Sequence, residues 1–126
     1  MPSSYQSSTA LELCAQLEAL EALGIDRVYL DVWNNGKVYF DSPTMAASVP
    51  SAVGDDRLSW AAPDACPGFK GEIHAWFEYG LMATYGDSTA TPFAAWTKKQ
   101  GWLLPGISGG WTWMNATQDA AVDFLG

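Results

Sequence analysis

Along residues 72–79 two residue classes alternate: Ile73, Ala75, Phe77 and Tyr79 hold one parity, and Glu72, His74, Trp76 and Glu78 the other. A period of two predicts a β-strand with one packing face and one face bearing an indole, an imidazole and carboxylates. Once buried, a face of that content lines a site more often than a core. Residues 25–33 repeat the layout, with Val28, Leu30 and Val32 on one side and Tyr29, Asp31 and Trp33 on the other. Their β-branched and aromatic content predicts a second strand, again with an acid and a Trp on the non-aliphatic face. Strands clothed on both faces belong to parallel sheets covered by helices.

Between and around these strands the spacing changes to a helical period. Thr9 and Glu12 are spaced as a capping box, Leu13, Leu17 and Leu20 follow on one face with Glu12, Gln16 and Glu21 outside, and Gly24 stops the helix. Asn34-Asn35-Gly36 is a turn signal leading to a short extended piece, so a small hairpin is expected there, followed by a loop to Gly54. Asp55 or Asp56 can cap a helix of about two turns through Leu58 and Trp60, cut short by Pro63 and ended by Pro67-Gly68. Residues 80–90 read as a loop. Thr91-Pro92 opens a helix with Lys98 and Lys99 in its last turn and Gly101 as its stop. Residues 102–104 read as a short strand before Pro105, a Gly- and Ser-containing stretch runs to Gly110, and Thr117 is placed to cap a last helix ending at Leu125.

Composition narrows the function classes. A length of 126 residues suits one domain, and 48% hydrophobic with 16% charged residues describes a folded chain. The formal charge of -8 repels phosphate backbones, so nucleic acid is not an expected partner. Aromatic residues make up 13% of the chain, which directs attention to carbohydrate, because sugars stack on flat apolar faces with polar edges; the plainer use is core filling. No apolar run approaches the roughly 20 residues of a membrane span. Residues 1–4 are polar with no basic start and no apolar stretch, so they do not read as a signal peptide, and the compartment stays open. Cys14 and Cys66 lie far apart without a CxxC or a Cys/His cluster; neither a metal site nor a disulfide framework is indicated, and both read as buried small apolar residues. No metal and no cofactor is expected.

Three blocks in order, residues 28–42 (VYLDVWNNGKVYFDS), residues 73–82 (IHAWFEYGLM), and Gly101-Trp102-Leu103 with Trp113-Met114-Asn115, resemble glycosyl hydrolase-like family 10, a family of (β/α)8 barrel proteins. The resemblance covers the chain from Leu11 to its end. It implies an α/β fold, a TIM barrel of which this chain is a part, action on glycosidic bonds, and export from the cell. A full barrel takes about 250 residues, so the chain would supply about three of eight βα units, parallel strands with flanking helices, as a fragment lacking part of the active site. Its open sheet edges would then be covered by the rest of the barrel, a second copy or another chain. The stretch from Ala61 to Pro67 replaces a longer helix of the family, which implies a distorted element there.

Barrel active sites gather at the C-terminal ends of the strands, where Asp31, Asn34, Trp76 and Glu78 fall. Glycoside hydrolysis needs one protonated carboxyl and one ionised carboxylate, and Asp31 and Glu78 are the expected catalytic pair. Adjacent strands lie about 4.8 Å apart, compatible with the roughly 5 Å carboxyl separation of a retaining enzyme. Trp33, Trp76 and Trp113 are expected to stack on sugar rings, with Asn34, His74 and Asn115 binding hydroxyls. Each has a plainer alternative: a hydrogen-bonded structural acid, a core indole, or an interior histidine. Asn115-Ala116-Thr117 also forms a glycosylation triplet. Three readings follow: a glycosidase acting through paired carboxylates, a non-catalytic carbohydrate-binding module, and a structural subunit completed by another chain.

Overall fold

The computed structural model describes residues 9–106 and 110–125. The polar opening, residues 1–4, the centre of the Gly- and Ser-containing stretch and Gly126 lie outside the described residues.

Helix α1 (Ala10–Ala22) starts where the capping pattern predicts: the Thr9 hydroxyl accepts from the Glu12 backbone N–H at 3.1 Å. Its inward residues Leu13 and Leu17 join Ala61, Cys66 and Phe69, with Val28, Leu30 and Ile73 packed against them. Thus the aliphatic faces of strands β1 (Arg27–Asn34) and β3 (Glu72–Phe77) rest on α1. A disulfide joins Cys14 on α1 to Cys66 before β3, across 52 residues. This corrects the reading of both cysteines as unpaired apolar residues. The pairing depends on α1 lying along the sheet, which local spacing does not encode.

Strands β1 and β3 are parallel neighbours, with Tyr29 level with His74 and Asp31 level with Trp76. The expected hairpin forms as well: β2 (Lys37–Val38) pairs antiparallel with β1 through Asn35 and Gly36, both at positive φ. Gly36 is required twice over, because a Cβ there would sit 2.5 Å from the Ala83 carbonyl oxygen.

The partial (β/α)8 barrel is not found. The first sheet has three strands in the order β2-β1-β3, with a single parallel pair, and β4 (Met82–Tyr85) and β5 (Trp111–Trp113) form a separate two-stranded antiparallel sheet. The protein is a small α/β fold with one mixed and one antiparallel sheet. Strand β4 lies in a stretch that reads as loop because Ala83 and Thr84 are small and its first three residues Met82, Ala83 and Thr84 are all buried, which erases alternation. Residues 102–104 contribute one antiparallel bridge, Leu103 to Met114, in place of a third parallel strand.

The remaining elements are helices α2 (Pro43–Ser48), α3 (Arg57–Trp60), α4 (Pro92–Gln100) and α5 (Asp119–Leu125), with a 3-10 turn at Pro50–Ala52. Asp56 rather than Asp55 caps α3, which is shorter than expected. Helix α4 has the Thr91 cap, the Pro92 start and the left-handed Gly101 stop that its sequence predicts. Thr117 does not cap α5; its N–H and hydroxyl both donate to the Asn115 side chain, at 3.0 and 2.6 Å. A second hydrophobic cluster, built on Trp33, Val38, Met45, Phe93 and Met114, packs at the C-terminal end of β1.

Candidate functional site

Strict alternation would place Asp31 and Trp33 on one face of β1. The ladder instead shifts register between them: Asp31 is level with Trp76, but Trp33 is level with Phe77. One extra residue in β1 resets the parity, as a β-bulge does. Trp33 turns into the second cluster, 3% exposed and edge-on to Phe93, while the next residue, Asn34, comes between the two acids.

The Asn34 amide nitrogen donates to Asp31 Oδ2 and to Glu78 Oε2, each at 2.8 Å. One NH2 group thereby spends both its protons on two carboxyls. The two oxygens are separated by no more than twice that bond length. Burial, a hydrogen bond to Asp31 and the Asp31 charge push the Glu78 carboxyl above the usual glutamate range, so it holds its proton in conditions that ionise an ordinary glutamate. Asp31 Oδ1 is buried and has no hydrogen-bond partner.

The hairpin turn ties this pair to the second sheet. Asn35 Oδ1 accepts from the Tyr85 N–H at 2.8 Å and the Thr84 hydroxyl at 2.9 Å. Tyr85 lies near enough to the acids that its phenol is pushed up, first by burial and then by the charge of Glu78. Beside it, Trp111 contacts Tyr79 at 4.7 Å, Tyr85 at 5.7 Å and Trp113 at 5.6 Å between ring centroids. Tyr79, adjacent to Glu78, sits at φ +48, a conformation that costs a non-glycine residue energy and turns the chain away from β3.

The expected site residues therefore divide. Asp31, Asn34 and Glu78 are brought together. Trp113 stands in the aromatic group, and Trp76, half exposed, lies edge-on to Tyr29 on the open face of the ladder. Trp33 is packed in the core cluster, almost wholly buried. His74 stands apart, bound to Glu72 at 3.0 Å and packed on Tyr29 at the lower end of the strands. Asn115 is used in the turn before α5, its backbone N–H donating to the Trp102 carbonyl. Sequence reasoning missed Tyr85, which a strand hidden in a small-residue stretch brings near the acids, and Tyr79 and Trp111, which join it in one aromatic group. The signal that could have found Tyr85 is the Asn-Gly turn, whose side chain needs a backbone partner.

Among the described residues one group of three potential metal ligands occurs, Cys14, Glu18 and Cys66, and the disulfide occupies both sulfurs. No described helix is long and apolar enough to cross a membrane. Comparison of the chain with protein-family models, curated proteins and solved structures finds no match.

Proposed function

We propose that the chain binds a carbohydrate at the Asp31–Asn34–Glu78 cluster and cleaves a glycosidic bond there. The observation that carries this reading is the single amide bridging two carboxyls, one of which is pushed above the usual glutamate range by burial and by the other acid. Glu78 gives that proton to the leaving oxygen, and Asp31 attacks the anomeric carbon. In the second step Glu78 takes a proton from water as the water displaces Asp31 from the sugar. The short separation favours direct attack, which needs roughly 5–5.5 Å between carboxyls, over the roughly 6.5–9.5 Å that admits a water between them. Tyr79, Tyr85, Trp111 and Trp113 supply ring faces for stacking.

Hydrolysis of an aryl glycoside panel tests the reading: turnover is expected for the parent chain and is expected to vanish with Glu78→Gln and with Asp31→Asn. Saccharide binding with quenched Trp fluorescence and no turnover would leave a binding module. A second reading, a structural subunit, is favoured by one observation: β3 is hydrogen-bonded along one edge only, and Tyr29, Trp76 and Phe77 around it are each about half exposed. A native mass of twice the chain mass, or a co-purifying chain, would support it.

A further inference from the structure

Beside Asp31 and Asn34 opens a cavity of about 390 Å³ whose wall also includes Lys37, Tyr39 and Arg57. The chain has 6 basic residues against 14 acids, yet two of the six meet at this one cavity. Neither is neutralised: the ion pairs among the described residues join Arg27 and His74 to Glu72, at the other end of the strands. Arg57 is also fixed in place. Its guanidinium carbon lies 4.0 Å from the centre of the Tyr39 ring, and its Nε is buried without an acceptor. The buried Nε and the stacked ring set the plane of the guanidinium at the cavity wall.

Building on the saccharide reading above, we infer that the sugar carries an anionic substituent, a carboxylate or a sulfate ester, which Arg57 and Lys37 hold. A stacked guanidinium presents its N–H groups in a fixed plane that suits the paired oxygens of either anion, and the neighbouring ammonium adds charge without adding geometry. The negative chain as a whole repels such a ligand, so these two cations must supply the selection locally.

Titration by Trp fluorescence and calorimetry with trisaccharides matched in linkage separates the alternatives. One set is built of uronic acids, one of sulfated hexoses and one of the neutral hexoses. The acidic trimers are expected to bind at least about ten-fold more tightly than the neutral ones. The better of the two acidic sets identifies the anion. Arg57→Gln is expected to erase the preference and Arg57→Lys to recover part of it. Lys37→Gln, at an exposed position where folding is not at stake, is expected to reduce the preference on its own. Equal affinity for acidic and neutral trimers, or a preference that survives both Gln substitutions, would overturn the inference and leave the saccharide reading standing. Failure of every trimer to bind would overturn the two together.

Discussion

Glu72 opens β3 and Glu78 follows its last residue, six positions on, and their surroundings drive them in opposite directions. Glu72 lies in the open at the lower end, accepting from Arg27 at 2.9 Å and from His74 at 3.0 Å, and these bonds hold its carboxyl below the usual range. Glu78 lies half-buried at the upper end beside another acid, with a neutral amide as its donor, and its carboxyl is held above that range. The same side chain is an ordinary surface partner in one place and a proton reservoir in the other. What separates them is the sign of the neighbour and the access of water.

The sharpest way to break the comparison is to neutralise each glutamate in turn. Glu78→Gln is expected to lower turnover of a cleavable glycoside by about 10²–10⁴-fold, the usual contribution of a general acid, whereas Glu72→Gln leaves turnover unchanged. Equal losses in the two variants, measured as kcat on the same substrate, would show that the two ends do not differ in role.

The next largest effect concerns what holds the lower end. Replacing Cys14 and Cys66 by Ser opens a loop of 52 residues, and the chain-entropy relation puts the loss near 4 kcal/mol in urea denaturation. Because the α1 layer packs on the faces of Val28, Leu30 and Ile73, the loss should appear as global unfolding rather than as a local change at the acids.

The upper end depends on the hairpin turn and on Asn34. Asn34→Ala removes the donor shared by both carboxyls and is expected to cost about 1–3 kcal/mol. It should also move the acid-dependent limb of the pH–rate profile upward, because the amide's bonds favour the ionised forms that it contacts. An unchanged profile would mean that burial and the neighbouring Asp31 set the Glu78 proton without the amide.

The smallest effects are in the pH dependence of stability, and the two glutamates should contribute with opposite signs. The folded chain binds the Glu78 proton more tightly than the unfolded chain does, so that contribution is complete in acid and is lost as pH rises through the raised value. Glu72 contributes above the usual glutamate range and is lost as pH falls through its lowered value. Thermal melts across that range should therefore show a weakening on the alkaline side that Glu78→Gln removes, and a weakening on the acid side that Glu72→Gln removes.

These contrasts also explain what could be read from the sequence. Helices α1 and α4 were legible because Thr9, Thr91, Pro92 and Gly101 mark their ends with local chemistry. Alternation in β1 and β3 located Asp31 and Glu78 at the same end of neighbouring parallel strands. The faces of Trp33 and Asn34 were not legible, because the register shift arises from how two strands meet and leaves no mark in either one. Strand β4 was hidden because Met82, Ala83 and Thr84 are buried together, leaving no polar parity to see. The barrel expectation failed on the same ground: β4 and β5 pair with each other in a layer of their own, a choice made by tertiary packing rather than by local propensity.

The added residue in β1 behaves like a spare tooth in a gear. Deleting the single codon for Val32 would remove the bulge and restore strict phase, yet Trp33 would still turn away from Asp31 and the amide of Asn34 would still lie on the acid's side. A lineage could thus gain or lose the bulge by one in-frame codon while the lining beside the acids keeps its polar character.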